Sequence, residues 1–142
     1  MGEKKAIKEQ KIIENVLKSE LDFITYVDAD TGIYHTIITN EETDVTPPSY
    51  GDYAEVNEVT IPKFVHPDDQ EECAKALLLS NIVEELSGKD HIVVPYRLLC
   101  DSSYRRKELS IYYHGGDRKT IVMVRRDVTD SYEEEQRQNE RL

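Results

Sequence analysis

The chain has 142 residues, 38% hydrophobic and 33% charged, which suffices for one well-packed core, falls short of two, and is too apolar for a disordered chain. Eighteen basic against 29 acidic side chains leave a net charge of -11, a surface that repels phosphate backbones and argues against nucleic acid as a direct partner. No run approaches the roughly 20 apolar residues that span a bilayer, so no direct membrane contact is expected. The charged opening segment lacks the apolar stretch of a signal peptide, and Cys73 and Cys100 stand far apart outside any CxxC or Cys/His cluster. A cytoplasmic protein with reduced thiols follows as the expectation.

Residues 1–20 are the first unit. A helix is predicted over 3–20, with Ala6, Ile13, Val16 and Leu17 on a narrow apolar stripe. The apolar side chains there, Ile7 and Ile12 included, exceed what one contact with the domain requires, so this helix and the adjoining sheet surface are expected to form a homodimer interface. Residues 21–39 read as two strands around the turn Asp28-Ala29-Asp30-Thr31-Gly32. From Asn40 to Lys63 the periodicity fades under Pro47, Pro48, Gly51 and Pro62, and a short helix or two is expected.

Residues 64–90 carry strong helix signals: Pro67 in the first turn, Asp68 and Asp69 at the positive dipole end, and Gly88 as the stop. One long helix is predicted, burying Ala74, Leu77, Leu78, Ile82 and Leu86. Alternation then predicts strands at 91–100, 107–114 and 119–128, the last two joined by His114-Gly115-Gly116-Asp117. The order defines an α+β fold: a five-stranded antiparallel sheet with helices on one face, an N-terminal helix, and a C-terminal helix leaving the domain. Thr129 or Asp130 is the expected N-cap of that last helix, whose first turn carries Glu133, Glu134 and Glu135.

No catalytic constellation emerges: no phosphate-binding glycine loop and no nucleophile elbow. His66-Pro67-Asp68-Asp69 has the residue types of a metal or acid–base site, but successive residues at a helix start diverge, and capping accounts for them better. Tyr96, Tyr113, Met123 and Arg125 fall on apolar strand phases. The two tyrosines either line a small cavity or satisfy one another in a filled core, and Arg125 needs a carboxylate, from a ligand or from the chain. If a ligand exists, it is expected between Thr25, Tyr96, Tyr113, Met123 and Arg125 and the stretch 40–63.

Tyr26-Val27-Asp28 before Gly32, Val65-His66-Pro67-Asp68-Asp69 opening a helix, Tyr96-Arg97 within a strand, and Asp127-Val128-Thr129 closing the last strand together resemble a PAS domain of bacterial diguanylate cyclases and sensor kinases. The resemblance covers roughly residues 21–130 and makes 131–142 the start of a C-terminal signalling helix, here truncated. It implies a sensory adaptor that is not an enzyme: a small-molecule ligand or a dimer interface on the sheet, with Asp127 and Thr129 relaying the signal to an output domain of the same polypeptide. It implies no fixed cofactor, since neither cysteine sits in the Asn-Cys-Arg context of flavin photochemistry and only His66, at a helix cap, approaches a haem-ligating place. Two alternatives stand beside it: a dimerisation spacer with a filled core, and a cone-shaped enzyme of ketosteroid-isomerase type. The latter needs an inward strand carboxylate that the apolar phases lack.

Overall fold

The structure, a computed structural model, describes residues 2–43 and 45–141. Helix α1 (Gly2–Glu20) leads into strands β1 (Phe23–Asp28) and β2 (Ile33–Thr39) and the short β3 (Tyr50–Asp52). Helix α2 (Tyr53–Phe64), a 3-10 turn (Pro67–Asp69), α3 (Gln70–Ala76) and α4 (Leu79–Leu86) follow, then β4 (Ile92–Cys100), β5 (Ser103–His114), β6 (Thr120–Asp127) and α5 (Thr129–Glu140). The sheet is antiparallel in the order β3-β2-β1-β6-β5-β4. The five expected strands are all present, and β3 adds a three-residue sixth at the edge. No described helix is long and apolar enough to cross a membrane.

Topology explains why the helices cover one face. β1 and β2 form a hairpin, as do β4–β5 and β5–β6, whereas the chain must travel from β3 at one edge to β4 at the other. That passage is made by α2, α3 and α4, which bury Tyr53, Ile61, Cys73, Leu77, Ile82 and Leu86 against the inward phases of the strands. In-register rows such as Val27–Ile121–Tyr113 and Thr25–Met123–Ile111–Ile92 floor this core. Across the sheet, Ile38, Ile24 and Val124 form a row on the opposite face. Ile38 and Val124 are buried, yet they stand outside the main core cluster.

The turns follow their local chemistry. Asp28 Oδ1 accepts from the N–H groups of Asp30 and Thr31, and Gly32 closes that turn at φ 76°, a value glycine adopts without strain. Gly51 lies so close to Tyr34 that a Cβ there would stand 2.9 Å from the phenol oxygen.

The single long helix expected over 64–90 is divided in three. Leu78 turns extended at ψ 129°, and the Asn81 side chain donates to Lys75 O at 2.7 Å, serving a carbonyl that a continuous helix would have used itself. Leu77 thereby points inward, while Leu78 is 56% exposed and Ala74 also faces solvent, against the expected buried face. Neither glycine nor proline marks the break. Helix α1 buries none of its side chains, with Ile7, Ile12, Ile13 and Val16 each more than half exposed.

Candidate functional site

Between the inner face of the sheet and the stretch 45–60 lies a cavity of about 80 Å³. Thr25, Met123 and Arg125 supply its sheet wall with Tyr96, and Val45, Pro47, Tyr53, Asn57 and Thr60 close it from the helical side. Four of the five residues expected there from strand phase are thus brought together. Tyr113 is not: it is inward on β5, but it pairs with Ile121, one row beyond Met123, which borders the cavity. It is half-buried, with the Arg118 guanidinium 6.0 Å from its ring. Phase fixes the face of a strand, and only register fixes the position along it.

The cavity walls are internally satisfied. Among the described residues every buried side-chain polar atom has a partner. The Tyr53 hydroxyl donates to Leu77 O at 2.7 Å, Thr25 and Thr36 hydroxyls meet at 3.1 Å, and Thr36 donates to Pro48 O. Burial pushes the phenols of Tyr53 and Tyr96 above their ordinary range, so both stay neutral hydrogen-bonding groups. Burial likewise raises the Cys73 thiol to about 12, which makes it inert packing. By volume the space takes several waters or a few non-hydrogen atoms.

Arg125 opens a chain of charges that leads out of the cavity. Its Nε donates to Asp22 Oδ2 at 2.7 Å and its Nη2 to Val45 O at 2.8 Å, with the guanidinium 4.8 Å from the Phe23 ring. The same Asp22 oxygen is 2.8 Å from Lys107 Nζ, and that ammonium donates at 3.0 Å to Asp127 Oδ2. Asp127 then receives a two-pronged contact from Arg105, at 2.9 and 3.0 Å. The side chains of Asp22, Lys107 and Arg125 are all less than a tenth exposed, where charges persist only when answered by charge. An open polar hollow of about 570 Å³ borders the outer part of this chain.

Asp127 also shapes the departing helix. Its Oδ1 accepts from Thr129 N–H at 2.9 Å. Burial works to raise its carboxyl, but hydrogen bonds from Arg105, from the Thr129 backbone and from Lys107 outweigh this and hold it well below the usual range. The expected N-cap at Thr129 or Asp130 is corrected: Val128 occupies the cap position and makes no side-chain cap, while the Thr129 hydroxyl accepts from Arg106 N–H on β5. Val128 N–H bonds to Arg106 O, and the Arg106 guanidinium lies 3.7 Å from the Tyr132 ring. The run Arg105-Arg106-Lys107 therefore grips the first turn of α5 through side chains and backbone alike. Strand alternation placed only Lys107 of the three on a strand, whereas β5 begins at Ser103 and takes in Arg105 and Arg106 as well. Alternation does not show what any of them meets, because their partners at the start of α5 are about 20 residues distant in sequence.

His66-Pro67-Asp68-Asp69 is structural. His66 Nδ1 accepts from Asp68 N–H, and Asp69 binds Arg97 through the Nε, Nη2 and backbone N–H, each at 2.9 Å. That hydrogen bonding from Arg97 holds the Asp69 carboxyl below its ordinary range. Asp69 occupies the N-cap position of α3 but makes no side-chain cap bond; its carboxylate instead pins the start of α3 to β4. No group of His, Cys, Asp and Glu suited to a metal ion occurs among the described residues.

No protein-family model matches the chain. A search of curated proteins likewise finds no match. Among solved structures it is similar to a sensory box histidine kinase/response regulator from Burkholderia thailandensis, with a TM-score of 0.53 at 17% identity over 82% of this chain and 84% of that one. It is similar also to an RNA-binding light-oxygen-voltage receptor, with a TM-score of 0.50 at 16% identity over 77% of this chain, and spans 30% of that receptor's length. The PAS domain of the Cronobacter turicensis RpfR quorum-sensing receptor, in complex with BDSF, gives 0.48 at 12% identity over 78% of this chain and 97% of that one. The fold is that of a PAS domain.

Proposed function

We propose that this chain is a sensory signal-transfer module: it takes a small molecule into the cavity beside Arg125 and passes the change through α5 to an output domain of the same polypeptide. The observation that carries this reading is the grip on α5. Asp127 and Thr129 join the helix start to Arg105, Arg106 and Lys107, so the direction in which α5 leaves is set by the sheet. Asp127 is reached from the cavity through Arg125, Asp22 and Lys107. In this reading the chain binds and relays, and no residue acts as a catalyst.

A homodimer is part of the proposal. A 19-residue helix that buries no side chain has little to hold it in isolation, and its exposed isoleucines and valine suit a second copy. Removing residues 1–19 should convert a dimer to a monomer by mass in solution; an unchanged oligomeric state would refute this part. Ligand binding is tested by native mass spectrometry of gently purified protein, where a small co-purified mass lost on Arg125→Met supports it. A protein free of any bound mass, with a cavity that admits only water when a crystal is pressurised with xenon, would favour the spacer with a filled core.

A further inference from the structure

Asp22 stands between α1 and β1, immediately before the chain enters the sheet, and Asp127 closes β6, separated from α5 by one residue. The two carboxylates belong to different ion pairs, Asp22 with Arg125 and Asp127 with Arg105, and each pair would be complete by itself. Lys107 stands between them with Nζ 2.8 Å from Asp22 and 3.0 Å from Asp127, its side chain 2% exposed. A further buried cation beside Arg125 is costly to desolvate and is needed by neither pair. The same Asp22 fastens the incoming segment: its N–H bonds to Arg125 O, its carbonyl accepts from Asn40 N–H, and the Asn40 side chain donates to Lys18 O in the last turn of α1.

We infer that Lys107 is a coupling residue that ties the point where α1 arrives to the point where α5 departs, so that a displacement at either junction is felt at the other. The inference rests on the signal-transfer reading above and assigns its route: a change at Arg125 reaches Asp22, and Lys107 hands it to Asp127 and the Thr129 N–H. Such a coupling is reciprocal by thermodynamic necessity, since each junction must bias the other equally.

The test uses amide hydrogen exchange in the 142-residue chain. Asp22→Asn should raise exchange in the first turn of α5 by about tenfold, within the range usual for coupled sites, although among the described residues Asp22 makes no hydrogen bond or ion pair to that helix. In the Lys107→Met background the same replacement should change that turn by less than about twofold, because the apolar side chain fills the space and carries no charge between the pairs. Asp127→Asn supplies the reciprocal reading at Asn40 and the end of α1, and it serves if Asp22→Asn fails to fold. Exchange in α5 that ignores Asp22→Asn, or an Asp22 effect equally large with and without Lys107, overturns the inference. Output measured in a longer protein separates the two readings: insensitivity to Asp127→Ala refutes the signalling role even where the coupling is seen.

Discussion

Replacing Asp127 by Ala removes a carboxylate that accepts four hydrogen bonds, two from Arg105 and one each from Lys107 and the Thr129 backbone. Loss of the bond to the helix N–H costs about 1 kcal/mol, as for other helix starts. Breaking a fully buried pair costs about 3–5 kcal/mol when the surviving charge is stranded, but neither cation is stranded here. Lys107 keeps Asp22, and the Arg105 side chain is 37% exposed and reaches water. The ionic part therefore falls to about 1–2 kcal/mol, for a total near 2–3 kcal/mol. Urea unfolding with matched m-values measures it. Because the folded-state carboxyl titrates below its unfolded value of about 3.9, its contribution is present above about pH 4 and is lost as pH falls towards the depressed folded value. Wild type should therefore lose stability more steeply than Asp127→Ala below pH about 4, and the two curves should converge. A loss under about 1 kcal/mol at neutral pH, with parallel acid curves, would mean that Asp127 is only a cap and the ion pairs contribute nothing.

Three further outcomes are expected. Asp69→Ala should destabilise by about 1–3 kcal/mol and flatten the acid limb in the same sense as Asp127→Ala, since Arg97 loses both side-chain bonds and its backbone acceptor; equilibrium unfolding at two pH values checks it. Gly51→Ala should cost about 1–3 kcal/mol, because the added Cβ meets the ring of Tyr34, which is 3% exposed and has no room to swing; a thermal midpoint within a degree of wild type would refute this. Leu109→Ala, on the cavity wall and 4% exposed, should cost about 2–5 kcal/mol and enlarge the cavity enough for benzene to raise the midpoint of the variant and leave wild type unmoved.

The sequence by itself determined the order and type of five of the six strands, the turns at Gly32 and Gly115, and the inward phase of Thr25, Tyr96, Met123 and Arg125, because period-two alternation and glycine chemistry are local properties. It also contained the pieces that resemble a PAS domain, since His66-Pro67-Asp68-Asp69 and Asp127-Val128-Thr129 are contiguous. What it did not contain was position along a strand and partnership across the sheet. Tyr113 misses the cavity by one row, the break at Leu78 is held by Asn81 with no local breaker, and Asp127 binds side chains about 20 residues away. The tertiary structure alone decided the union of Asp22, Lys107, Arg125 and Asp127. Charges so distant in sequence can meet only where the register of β1, β6 and β5 brings them within 3 Å, and the low dielectric of the interior then requires that they answer one another.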